Sequence, residues 1–394
     1  MDMNNTKRPA FSVSSLSMLL LLTAAVLSAG SPAAANDQTL SQASAGDLVT
    51  LSNFNFSVPS IPLKITTAQG QAQLLLSDNP EYTSTNGVLL REAVEPGTVR
   101  LYIYQVISGS TPKVITSVIR NLSASPMKVS FSKCARVKPS AAYNRVAQDA
   151  LDIFLSGSMT CNGFTVPPNG KAVIDSGLEK FSATNDQLTH GIYEFDVDQP
   201  AVVTVFAKDT WQNSVSVVDN LPILPRNENG AGRGRFPTSN FNVESAPVDS
   251  ASGPFQFVVA DGQTDHWVAG NDTLAGISGV ENVGNYGTFY RFRIKYTTSD
   301  GRGLALVVTN PTGGNDMCRY LATAMGVSSP DGLVPAQTVR IPNGDEMLNV
   351  NPDVVVIQKL PPLTAGRTGT VDLLYSPPGA ACLPTPLVFV PYKQ

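Results

Sequence analysis

Short runs in which apolar and polar residues alternate fill the chain from residue 51 to its end. In the run 191–197, Tyr193, Phe195 and Val197 fall on one side of an extended strand, and Ile192, Glu194 and Asp196 on the other. That alternation predicts a strand buried on one face. The run Ala201-Val202-Val203-Thr204-Val205-Phe206 is apolar almost throughout and predicts a strand buried on both faces. Half-buried strands need a cover, so sheets packed face to face are expected: an all-β fold built of sandwiches. One stretch departs from the two-residue period. Tyr143, Val146, Ala147, Ala150, Leu151 and Phe154 recur at helical spacing, with Ser140 behind Pro139 as N-cap and Gly157 as stop. A helix over 141–155 is predicted, its stripe packed on a sheet edge or end.

The strand pattern recurs in order. Residues 99–104 followed by 114–121 match 289–294 followed by 304–310, and both second strands end in asparagine, Asn121 and Asn310. Pro167-Pro168-Asn169-Gly170 matches Ile341-Pro342-Asn343-Gly344, and 191–197 matches 369–375. Matched positions stand 174 to 189 residues apart, a drift that loop insertions explain. The expectation is two immunoglobulin-like β-sandwich domains in tandem, over 51–222 and 241–394, with the helix inserted in the first. Pro222, Pro225 and Pro237 bracket a Gly-rich polar stretch, which predicts a linker over 223–240. Residues 36–50 read as a flexible lead-in.

The N-terminus has a different character. Lys7 and Arg8 precede an apolar run from Leu16 to Leu27, and small residues follow, ending in Ala33-Ala34-Ala35. This is the layout of a secretory signal peptide over 1–35, cut after Ala35. The apolar run is short for a membrane span. The expected mature chain carries no transmembrane segment and is secreted, extracellular or part of the cell envelope.

Composition narrows the partners. The chain has 31 Gly, 29 Pro and only 15% charged residues, as short strands and tight turns require. With 27 basic and 31 acidic residues the net charge is −4, which argues against nucleic acid as partner. Four cysteines in an exported chain read as disulfides. Three pairings exist, and Cys134–Cys161 with Cys318–Cys382 keeps one bond in each half. Zinc is disfavoured, since no C-x₂-C spacing occurs and neither histidine lies near a cysteine.

No recognisable catalytic centre emerges, and no cofactor is assigned. His190 opens a predicted strand and His266 sits in a predicted turn; neither adjoins a Ser or Cys motif of the kind a nucleophilic triad needs. Asp78, Glu81, Asp196, Asp198, Asp265 and Asp272 lie near predicted strand ends. They read as turn and cap residues, and would serve a glycosidase only as a pair about 5–9.5 Å apart. Asn315-Asp316 and Asp345-Glu346 are the places for calcium, without EF-hand or nonapeptide spacing. Arg233 and Arg235, beside Phe236, are the concentrated basic spot of the linker and the candidate site for an anionic wall polymer. Trp211, Trp267, Tyr286 and Tyr290 are candidates for stacking on sugar rings.

Several short passages, taken in order, resemble a family of uncharacterised secreted bacterial proteins. They are Ser77-Asp78-Asn79-Pro80-Glu81, Gly97-Thr98-Val99-Arg100-Leu101, His190–Phe195, Gly234-Arg235-Phe236-Pro237, Asn285-Tyr286-Gly287, Asn310–Gly314 and Ser376–Ala380. Its members often carry the label "copper amine oxidase N-terminal domain-containing". The label refers to a separate small module of which this chain shows no sign, and the clustered histidines of an oxidase copper site are missing. The resemblance implies an extracellular or envelope protein and carries over no catalytic residue. Two expectations follow: a non-enzymatic protein that contacts wall polymer, glycan or another surface protein, or a secreted carboxylate-dependent polysaccharide hydrolase.

Overall fold

The computed structural model describes residues 32–228, 230–310, 319–381 and 383–394. The export-signal reading over 1–35 lies outside them, apart from 32–35, which open the first helix. Helix α1 (Pro32–Gln42), β1 (Leu48–Thr50) and β2 (Leu63–Thr67) come first. The first run of strands is β3 (Gln73–Ser77), β4 (Tyr82–Thr83), β5 (Gly87–Val94), β6 (Gly97–Ile107), β7 (Lys113–Asn121) and β8 (Met127–Ser140). Helix α2 (Tyr143–Ser156) follows, then β9 (Phe164–Val166), β10 (Lys171–Val173), β11 (Gln187–Val197), β12 (Ala201–Asp209) and the short α3 (Ser214–Val217). The second run opens with β13 (Arg233–Phe236), β14 (Asn240–Ser245), β15 (Val248–Asp249), β16 (Phe255–Val259), β17 (Val268–Asp272) and β18 (Ile277–Asn282). It continues with β19 (Phe289–Thr297), β20 (Gly303–Thr309), β21 (Thr323–Ser328), β22 (Gln337–Ile341), β23 (Asp353–Leu360), β24 (Gly369–Tyr375) and β25 (Thr385–Tyr392). The fold is all-β, and no helix among the described residues is long and apolar enough to cross a membrane.

Among the described residues these strands form four sheets. A four-stranded sheet, β10-β7-β12-β5, faces a nine-stranded one, β18-β17-β13-β3-β6-β11-β8-β9 with β4 also on β6. Leu89, Ile115 and Val203 from the former share a core with Leu101, Val129 and Phe195 from the latter. A five-stranded sheet, β1-β23-β20-β25-β16, faces a seven-stranded one, β2-β14-β19-β24-β21-β22 with β15 on β19. Phe257, Leu306 and Phe389 meet Phe292, Val339 and Val371 there. The two pairs share one connectivity. Strand β3 runs parallel to β6 as β14 does to β19, and β11 and β24 lie antiparallel to β6 and β19. The recurring sequence blocks thus occupy corresponding strands.

The boundaries between the halves differ from the sequence expectation. Strand β2 precedes the first run yet pairs with β14 of the second, and β13 opens the second run yet pairs with β3 of the first. The β17–β18 hairpin likewise extends the sheet of the first half. The stretch expected to be a linker therefore contributes a sheet strand. Its glycines allow close backbone approach: a Cβ on Gly234, whose φ is +133°, would stand 2.0 Å from the Asn271 carbonyl oxygen. Glycine inside a strand commonly has this meaning.

Residues 36–50 are also ordered, as α1 and β1. Strands β20, β23 and β25 are apolar on both faces. Leu40, Ala43 and Leu51 pack on the outward face, against Val307, Val354, Val356 and Val388. A doubly apolar sheet needs a second cover, and the N-terminal segment is that cover.

A third core lies between the halves. Tyr102, Tyr104, Val106, Ile192 and Phe236 on the nine-stranded sheet meet Phe289, Ala324 and helix α2. Ile192 is buried for this reason, although alternation places it away from Tyr193. The helix runs two residues later than expected at its start, because Ser140 still pairs with Leu188 of β11; Gly157 closes it in the left-handed conformation. Its stripe (Val146, Ala147, Ala150, Leu151, Phe154) packs on a sheet face, not an edge. Gln148 donates to the carbonyls of Thr323 (3.1 Å) and Pro342 (2.9 Å) of the second half.

Cys134 on β8 and Cys161 form a disulfide that brackets α2, with a sequence separation of 27. The Cys318–Cys382 expectation lies outside the described residues. Closing the α2 excursion is worth about 3 kcal/mol in the chain-entropy model. The double variant Cys134→Ser/Cys161→Ser should lose stability of that order in denaturant titration. An unchanged midpoint would show that α2 is held by packing alone.

Candidate functional site

The predicted basic spot is not a free one. The Arg233 side chain is buried, its Nε 2.9 Å from Asp272 Oδ2 and its Nη1 on the Leu224 carbonyl, while Arg235 donates to the Ala93 carbonyl at 3.0 Å. Cross-strand pairing pulls this stretch into the sheet, so Arg233 is internal.

The other predicted residues are scattered. His190 is buried between the rings of Tyr102 and Tyr104, its Nδ1 2.6 Å from the Ile103 carbonyl oxygen. Burial pushes its pKa down to about 4, so it is neutral at physiological pH. His266 is exposed. Asp196 accepts from Thr98, Asp198 from the Lys128 backbone and Asp265 from Tyr290, each as a local tie. Tyr290 is buried and Trp267 and Tyr286 half-buried, which leaves Trp211, 80% exposed, as the one of the four free to stack. Asp345 and Glu346 are exposed, and Asn315-Asp316 lies outside the described residues.

Asp78 and Glu81 do come together. Asp78 is buried in the seam between the halves, within electrostatic reach of Glu81, Tyr102, Tyr104 and Tyr286. Burial, then the charge of Glu81, holds the Asp78 carboxyl well above the usual range; burial raises Glu81 as well. A carboxyl raised on folding favours the folded state below its unfolded pKa, near 3.8, and that contribution is lost as pH rises toward the folded value. Stability should therefore fall from pH 4 toward neutrality, by at most about 1.4 kcal/mol per pH unit for one proton. Asp78→Asn should flatten that slope in melting curves recorded between pH 4 and 7. An identical slope in the variant would show that Asp78 ionises freely.

The concave site lies elsewhere, on the outward face of the seven-stranded sheet beside the last turn of α2. It is a groove of about 1000 Å³. Two rows of side chains floor it. In one, Thr338, Gly326, Leu374, Arg291 and Asn242 are successive cross-strand neighbours. In the other, Ser328, Asp372, Arg293 and Glu244 follow one another. Leu155, Ser156 and Ser158 form the wall. The rows point outward because the intervening Val243, Phe292, Val327 and Leu373 fill the core beneath.

Charge in the groove is unevenly matched. Arg293 holds Asp372 by two hydrogen bonds of 3.0 and 2.9 Å, and Asp152 is tied to Arg340 at 3.2 Å. Arg291 has no hydrogen-bond or ion-pair partner among the described residues. Beside it Gly326 leaves the floor flat: a Cβ there would meet Leu374 Cβ at 3.2 Å. None of these residues stood out in the sequence. The signal was the alternation of Tyr290-Arg291-Phe292-Arg293, which places two arginines on the face opposite the core.

No family model and no curated protein matches the chain. Among solved structures, an uncharacterized protein from Burkholderia cenocepacia is similar at 11% identity and a TM-score of 0.17, with 84% of this chain and 81% of that one covered. The CupB6 tip adhesin from Pseudomonas aeruginosa is similar at 10% identity and 0.13, over 86% and 89%. The Macrobrachium rosenbergii nodavirus is similar at 5% and 0.13, over 86% and 93%.

Proposed function

We propose that this is an exported, non-enzymatic glycan-binding protein whose groove beside α2 holds a hydroxyl-rich polymer. The observation that carries the reading is the groove itself. It is wide, polar and apolar in about equal measure, and it is floored by side chains of four or more neighbouring strands. From Thr338 to Asn242 it crosses four strand spacings, about 19 Å, a span suited to an oligomer. Its hydroxyls, amides and fixed charges are the groups that bind sugar hydroxyls, over a floor with small apolar patches. The Asp372 and Asp152 carboxylates are tied to arginines, which leaves Glu244 as a lone untied carboxylate in the groove, and the acid pair with raised pKa values lies in the seam instead. That favours binding over hydrolysis. The leader reading and the disulfide support an extracellular setting.

The test is binding of purified residues 36–394 to wall sacculi and to a panel of oligosaccharides, with wild type compared to Ser328→Trp. Filling the groove should abolish binding and leave the melting temperature within a few degrees, since Ser328 lies outside the core. Binding unaffected by Ser328→Trp would place the ligand elsewhere, with exposed Trp211 next in line. Release of new reducing ends would make the protein a hydrolase.

A further inference from the structure

Resting on the reading of the groove as a glycan site, we infer that its ligand is an acidic polysaccharide carrying sugar carboxylates, with Arg291 as the residue that selects for them. The two arginines on the groove floor are not equivalent. Arg293 lies between Asp372 and Glu244, its cross-strand neighbours on either side, and its fork is already spent on Asp372. Arg291 lies between Leu374 and Asn242, with no carboxylate beside it in its row. Its positive charge also reaches Arg100 at the seam, where it adds to the local positive field. One row of the floor thus sets two carboxylates around one arginine, and the other carries a single positive charge with no carboxylate in its row.

The surroundings of Arg291 suit a sugar ring bearing one carboxylate. The Gly326–Leu374 pair gives a flat apolar step next to the guanidinium, and Leu155 stands in the facing wall. A pyranose has an apolar face of C–H groups that can lie on such a step. Its exocyclic carboxylate would then take both ends of the Arg291 fork, the planar pairing that guanidinium makes with carboxylate. Asn242 and Thr338, at the ends of the same row, are left for ring hydroxyls. A single unpaired guanidinium takes one carboxylate, so it reads one acidic sugar of the chain at this position.

The experiment compares retention of the whole mature chain on immobilised polygalacturonate, on its fully methyl-esterified form and on a neutral glucan, at two salt concentrations. Wild type should bind the free acid at least tenfold more tightly than the ester, with the preference shrinking in high salt. Arg291→Ala should erase that preference without lowering the melting temperature, and Arg291→Lys should restore only part of it, since lysine lacks the fork. Equal binding of acid and ester by wild type, or an acid preference untouched in Arg291→Ala, overturns the inference. In that case loss of binding in Ser328→Trp would leave the groove reading standing. Preference for a sulfated polymer over polygalacturonate overturns the carboxylate assignment. Binding to none of the polymers, sacculi included, overturns both.

Discussion

Residues 51–222 and 241–394, expressed separately, should each fail to give a soluble, cooperatively folding protein. Two sandwiches in tandem would ordinarily separate at the stretch that joins them, but here each is completed by chain from the other. The first piece lacks β13, β17 and β18, so β3 becomes a bare edge and Leu74, Leu76 and Tyr102 lose their cover. The second piece lacks α1, β1 and β2. Without them Val307, Val354, Val356 and Val388 face water on the outward side of their sheet. Each fully buried side chain of this size contributes about 1.5–3 kcal/mol. Exposing four or more is comparable with the whole stability of a domain, about 5–15 kcal/mol. Circular dichroism, amide dispersion and urea titration of each piece check this. A cooperative transition in either alone would show that the exchanged strands are accessories.

Arg100→Ala should be among the most damaging single substitutions in the molecule, while Arg293→Ala, which removes a like arginine–acid pair in the second half, should be nearly silent. Arg100 lies opposite Glu194 on β11, as Arg293 lies opposite Asp372 on β24. Their surroundings differ. Arg100 is buried and satisfies five bonds: two to Glu194 (2.6 and 3.0 Å), then the Ser239 carbonyl (2.7 Å), the Gly287 carbonyl (3.1 Å) and Asn240 Oδ1 (3.0 Å). Ser239 and Asn240 sit where the chain passes from β13 to β14. They are bonded there to Gln71 in the other crossing strand connection, so Arg100 pins the place where the halves exchange strands. Truncation leaves Glu194 without its cation and takes a donor from three further acceptors, at a cost of about 3–5 kcal/mol. Arg293 is 62% exposed, and an exposed pair of this kind is worth about 1 kcal/mol or less. Denaturation midpoints of the two variants decide it; similar, small shifts in both would show that the seam tolerates losing its arginine.

The chemistry of the candidate site was only faintly legible. Alternation puts Arg291 and Arg293 on one face of β19, but it cannot say that a helix from the other half walls that face. Nor can it say that Asp372, 79 residues away, takes one arginine and leaves the other. Arg233 misled for the converse reason. A Gly-rich polar stretch has the local character of a linker, and only Asp272 together with the close approach of β17 makes it a buried strand.

What the sequence by itself determined is whatever depends on neighbours along the chain. The period-two alternation makes strands, the helical spacing between Cys134 and Cys161 makes α2, and the ordered recurrence of blocks gives two sheet pairs of one connectivity. The Cys134–Cys161 bond was one of three pairings the sequence allowed, and the structure selects it. Tertiary structure alone decided which strand edges meet. Backbone hydrogen bonds are the same for every residue, so nothing in the composition of β2 or β13 names its partner strand. Partner choice came from the burial of faces: the doubly apolar β20, β23 and β25 needed the N-terminal segment as a cover. The Tyr102–Ile192 face needed α2 and the second half. The groove and its unmatched arginine are what remained open once those faces were closed.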